Sequence, residues 1–213
     1  MTTTNVAGRF GSLTWLGRVA VCLFIVMAAP TAYAQGTEDS STRAVAEFET
    51  ATQDYALMHR GFEAKIGPIE LGKLAAEINR IINELATAIR RERVAAKQGD
   101  FFAPALGRVL RVRISDALLA HEYTAVDART RVPGVDYDRL ELRVNDTFPL
   151  VLGVPMLPCV RNALPSLPPE LQYRMVGDDL VLLDVHALLI VDILPHVLTD
   201  VTAQHPGPRG GLR

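Results

Sequence analysis

The run YRMVGDDLVLLDVHALLIVDIL, Tyr173–Leu194, is strongly apolar yet carries Asp178, Asp179, Asp184 and Asp192, with His186 inside it and His196 just beyond. Carboxylates in such number raise the question of a cation site. A hard cation takes six or more oxygens converging on one point, as a closely spaced acidic loop provides. Here the four carboxylates fall at opposite ends of an expected hairpin, so a role in turns and solvated strand edges is favoured over a metal site. His186 and His196, with Asp184 or Asp192, have the donor types that suit zinc or nickel. Their spacing of ten residues across a strand argues against convergence. No metal and no cofactor is therefore assigned, and His186, His196, Asp184 and Asp192 stand only as candidates.

Other patterns that could do chemistry are incomplete. His121-Glu122-Tyr123-Thr124-Ala125 begins like the zinc-binding H-E-x-x-H, but Ala125 stands where the second histidine must be. His59 falls on a helical apolar stripe and reads as a hydrogen-bonded core residue. Cys159, in MLPCVRNAL, has no activating base nearby in sequence and reads as a small hydrophobe. A glycine-bracketed serine and a phosphate-cradling loop are both lacking, so no catalytic residue is assigned. One charge asymmetry remains: Arg90, Arg91, Arg93, Lys97, Arg108, Arg111 and Arg113 would gather if two successive helices form a hairpin. Such a cluster is a candidate surface for an anionic component of the cell envelope, set against the plainer reading of a solvated helix face.

The elements that must position these residues divide the chain into a helical half, about 41–122, and a sheet half, about 138–198. Val45, Phe48, Thr52, Tyr55, His59 and Phe62 form one helical stripe, with N-caps on offer at Ser40–Thr42 and a stop marked by Gly61 with Gly67-Pro68. Leu74, Ile78, Ile81, Leu85 and Ile89 form a second, ending in cations before Gly99. A third helix begins near Pro104, with Leu106, Val109, Leu110, Ile114, Ala117 and Leu118 inward. Leu140, Leu142 and Val144 alternate with charged residues, which predicts a half-buried strand turning at Asn145-Asp146. Leu164–Pro169 is an extended lead-in. Leu171–Val176 and Asp179–Asp184 then pair about a Gly177-Asp178 turn, with Tyr173 opposite Leu182 and Met175 opposite Leu180, and Leu188–Leu194 follows as another strand. The expectation is an α+β fold: an N-terminal helical bundle or hairpin, then a small C-terminal antiparallel β-meander of three or four strands.

Residues 1–35 are set aside as a secretory signal. Arg9 and Arg18 precede the apolar Val19–Ala29, which is too short to span a bilayer, and Ala32-Tyr33-Ala34 is a cleavable small-residue pattern placing the mature start at Gln35. The whole chain has 22 basic and 24 acidic residues, a formal charge of −2; without Arg9 and Arg18, 20 stand against 24, giving −4. That balance gives no support for nucleic-acid binding. Cys159 is then the lone cysteine, which leaves no intrachain disulfide. A single α+β domain over 36–203, a disordered tail at 204–213, a periplasmic or secreted location and no transmembrane segment after cleavage complete the expectation.

LPSLPPELQYRMVGDDLVLLD with LIVDIL, preceded by GDFFAPAL and LMHR, resembles a set of uncharacterised exported bacterial proteins over most of the mature chain. The terminal meander is also weakly similar to strands of small periplasmic proteins linked to nickel and cobalt homeostasis. Leu188 departs from the pattern, which places a turn residue such as Asn or Gly there. The resemblance implies export and the order of elements, and carries over no catalytic residue. Functionally, the sequence favours an exported, non-enzymatic binding or interaction protein of unknown partner. Its alternatives are an envelope hydrolase whose site meets only in three dimensions, and a metal-homeostasis protein using the C-terminal His and Asp residues.

Overall fold

The computed structural model describes residues 31–67, 74–137 and 139–198. Helix α1, Thr31–Ile66, leads into α2, Ala75–Glu92, and α3, Pro104–Ala120; the short α4, Ala125–Ala128, and α5, Pro158–Ala163, follow before strands β1, Leu171–Val176, β2, Asp179–Asp184, and β3, Leu189–Leu194. The order is helices and then an antiparallel meander, β1-β2-β3, which is the expected α+β arrangement. The apolar stretch 19–29 and the tail 204–213 lie outside the described residues. Among the described residues no helix is long and apolar enough to cross a membrane.

The helical stripes are buried as their periodicity requires. Phe48, Thr52, Tyr55 and His59 face inward from α1, Ile81, Leu85 and Ile89 from α2, and Leu106, Leu110, Ile114 and Leu118 from α3. Two boundaries differ from expectation. Helix α1 is continuous through Ser40–Thr42 and through Gly61, so neither is a terminus. It ends where Gly67, at φ +103°, returns its N–H to the Glu63 carbonyl, a left-handed helix stop that needs glycine. Leu74 is the N-cap of α2 and is exposed rather than part of its buried face.

The hairpin has the expected register, with Tyr173 opposite Leu182 and Met175 opposite Leu180 about Gly177 at φ +59°. Both faces of the sheet are buried. Leu180, Leu182, Leu189 and Val191 join the core beneath the helices, whereas Val181, Leu183, Ile190 and Ile193 pack with Phe148, Leu152 and Tyr137 of the long connection. Between Leu182 and Leu183 the β2–β3 register shifts: Leu182 opposes Asp192, and Leu183 opposes Ile190. Val191 is thus the extra residue of a bulge, which keeps both Val191 and Asp192 toward the helices.

The strand expected at Leu140–Val144 is not formed. The alternation is real, since Leu140 and Leu142 pack on the second core while Glu141 and Arg143 are exposed, but the segment makes no ladder. Instead residues 145–148 run along the free edge of β3: Asn145 and Phe148 N–H donate to the Ile190 and Leu188 carbonyls, and Ile190 N–H donates to the Asp146 carbonyl. Period-two burial reports a half-covered extended segment, and pairing depends on which edge is within reach.

Candidate metal centre

Two residues of α1 one turn apart, His59 and Glu63, lie on the same side of the helix, as the i, i+4 spacing dictates. The connection from β2 to β3, Val185–Leu188, brings His186 against them. One carboxylate arranges both histidines. Asp184, the last residue of β2 and fully buried, accepts through Oδ1 from the His186 and Ala187 backbone N–H groups at 3.0 and 2.8 Å, which folds the turn. Through Oδ2 it meets the Tyr55 hydroxyl at 2.8 Å and His59 Nδ1 at 2.7 Å.

The tautomer of His59 follows from this geometry. A proton on His59 Nδ1 is hydrogen-bonded to Asp184 Oδ2, whereas one on Nε2 would have no hydrogen-bond partner, so the Nδ1–H tautomer is the favoured one. In the neutral ring Nε2 then carries the lone pair. Nε2 is buried with no hydrogen-bond partner, 3.7 Å from Glu63 Oε2. His186 Nδ1 has no hydrogen-bond partner either and lies 3.4 Å from Glu63 Oε1. One ligand atom from each of His59, Glu63 and His186 falls within 4.8 Å of the others. Donors bound tetrahedrally at about 2.0–2.2 Å sit roughly 3.3–3.6 Å apart, so atoms within 4.8 Å of one another must draw in to that spacing to close on an ion. The carboxylate behind a ligating imidazole is also the usual arrangement for fixing its tautomer and raising its basicity.

Exposure grades across the set: the His59 side chain is 0% exposed, Glu63 25% and His186 40%. Burial by itself lowers the pKa of His59, but the hydrogen bond and charge of Asp184, with the charges of Glu63 and Glu170, outweigh it and leave the value raised. Burial, then the charge and hydrogen bond of Asp184, hold the Tyr55 proton well beyond the ordinary phenol range. Tyr55 is therefore a fixed donor to Asp184.

Of the sequence candidates, His186 and Asp184 meet here, Asp184 as the residue behind a ligand. Neither Asp184 nor Asp192 is a solvated edge: both are fully buried. Asp192, re-aimed by the bulge, accepts from the N–H groups of Gly99, Phe101 and Phe102 at 2.7–2.8 Å and fastens the α2–α3 loop. His196 sits at the other end of the hairpin, its N–H donating to Asp179, while Asp178 pairs with Arg129. His121 is exposed on the α3 end and Cys159 is buried.

The arginine cluster is dispersed in role. Arg93 lies over the rings of Tyr55 and Phe101 and donates to the Val191 carbonyl and Asn145 Oδ1; burial lowers its pKa, opposed by Tyr55, Asp100, Asp192 and Asp184. Arg90 donates to the Asn145 carbonyl and Thr147, and Arg111 to the Pro195 carbonyl. Arg91, Lys97, Arg108 and Arg113 are exposed. Surface grooves of about 480 Å³ beside Arg161–Leu167 and about 580 Å³ beside Arg80–Arg91 do not include His59, Glu63 or His186.

Sequence reasoning missed Glu63 and placed His59 in the core alone. The signal was present as a histidine on a buried stripe with a glutamate one turn later. No protein-family model, curated protein or solved structure matches the chain.

Proposed function

We propose that this is an exported, non-enzymatic binding protein whose ligand is a divalent transition-metal ion held by His59, Glu63 and His186. The observation that carries the reading is His59 Nε2: a buried ring nitrogen without a hydrogen-bond partner, its ring held by Asp184, grouped with donors from Glu63 and His186. An unpaired buried polar atom is costly, and an ion bound there would remove the cost. Two imidazoles and a carboxylate, with no thiolate, suit zinc, nickel or cobalt rather than copper(I) or calcium. Export rests on the basic, apolar and Ala32-Tyr33-Ala34 pattern before Gln35. An anionic envelope partner draws less support, because Arg90, Arg93 and Arg111 are engaged within the fold.

Protein stripped by a chelator and dialysed against zinc should retain about one ion per chain, with affinity falling on acidification as protons compete for His59, whose raised pKa brings that loss in at a higher pH than for an ordinary histidine. Glu63→Gln and His186→Ala together should abolish retention while leaving the metal-free unfolding temperature nearly unchanged, since both side chains are partly exposed. Asp184→Asn should weaken binding about 10- to 100-fold. Retention unaltered in the Glu63→Gln/His186→Ala double variant would overturn the assignment.

A further inference from the structure

We infer, resting on the metal reading, that the ion is bound with an open coordination position on the His186 side, which takes a small nitrogen- or oxygen-donor ligand, of the imidazole or amino-acid class, from solution. The site is therefore one of exchange rather than a structural staple. A structural zinc site is closed by four protein ligands, whereas a site with three keeps a position for an exogenous donor. Among the described residues the donor set contains His59, Glu63 and His186 and no fourth His, Cys, Asp or Glu.

The open position has a direction. His59 is wholly enclosed and pinned by Asp184, so it forms the floor of the site. His186 is held by its backbone N–H and by its ring packing on His59 at 5.3 Å between centroids; its side chain is the most exposed of the three, although Nδ1 itself is buried beside Glu63. An ion seated on His59 thus has its vacant coordination direction on the side of Glu63 and His186, the two side chains of the set that reach solvent. With one carboxylate ligand the centre keeps a net positive charge, and an ion of this class takes a further imidazole or carboxylate readily. Because the incoming ligand can bind before the protein donors leave, the ion can pass between the protein and a chelate through a ternary complex.

Cobalt(II) substitution reads the coordination number directly from the visible spectrum. The full exported chain loaded with cobalt should show a band shift that saturates on titration with imidazole, and its loss of metal to a chelator should accelerate in proportion to chelator concentration. His186→Ala should retain cobalt weakly and regain the parent spectrum when imidazole is added. Cobalt bound with a spectrum indifferent to imidazole, and a loss rate independent of chelator, would overturn the inference and mean that the chain supplies its own fourth donor. Failure to bind cobalt at all would instead remove the metal reading on which the inference rests.

Discussion

Arg93 shows how little a cation's place in a sequence cluster says about its work. It neighbours Arg91 by two positions, yet one faces solvent and the other is sandwiched between Tyr55 and Phe101 with its guanidinium bound to Val191 and Asn145. Removing Arg93 leaves a buried carbonyl without its charged donor and forfeits both ring contacts. Arg93→Ala should therefore cost about 2–4 kcal/mol of stability, and Arg91→Ala less than about 0.5 kcal/mol, measured by urea unfolding. Equal effects would mean that the two side chains are equivalent and that the sandwich contributes nothing.

At the scale of elements, the β2–β3 connection is held in a conformation its sequence does not favour. Leu188 has φ +52°, a left-handed geometry that costs a branched L-residue roughly 1–2 kcal/mol. Its carbonyl accepts from Phe148 N–H, and Asp184 fixes the two residues before it, so the surroundings impose the turn. Leu188→Asn should raise stability by up to about 1 kcal/mol, read as a higher urea midpoint, because Asn tolerates this region at low cost and Leu188 is only half-buried. The bulge on the next strand predicts the opposite. Asp192→Ala strands the N–H groups of Gly99, Phe101 and Phe102 and should destabilise by about 3 kcal/mol or more, with hydrogen exchange accelerated first in the α2–α3 loop.

For the whole molecule, helices and sheet share one apolar core, and the polar contacts that α1 adds to it gather toward the C-terminal end of that helix. Tyr55 and His59 reach Asp184, and Arg60 makes a two-pronged contact with Glu170 just before β1, at 2.6 and 3.1 Å. Burial favours the neutral form of Glu170, but the hydrogen bonds and charge of Arg60 outweigh it and hold the pKa below the ordinary 4.5. A carboxyl whose folded value lies below its unfolded one stabilises the fold above the unfolded value and loses that contribution as pH falls through the folded value. Stability should therefore decline on acidification below about pH 4.5, and Glu170→Gln should decline less steeply over the same range. Parallel acid profiles for the two proteins would show that this contact contributes nothing.

Local pattern was enough for the three long helices, the hairpin register and the order of elements, because periodic burial and a glycine-first turn are properties of neighbouring residues. It was also enough to mark Leu140–Val144 as half-buried, though not to say that this segment would stay out of the sheet while residues 145–148 took the edge of β3. The candidate site was legible only in part. His59 and Glu63 share a helix face by spacing alone, but His186 is more than a hundred residues away, and nothing local distinguishes a strand-end carboxylate in water from Asp184 with every lone pair engaged. Packing α1 across the end of β2 decided that. It withdrew Asp184 from solvent, turned His59 so that one nitrogen was spent and the other was not, and placed the unspent nitrogen against Glu63 and His186.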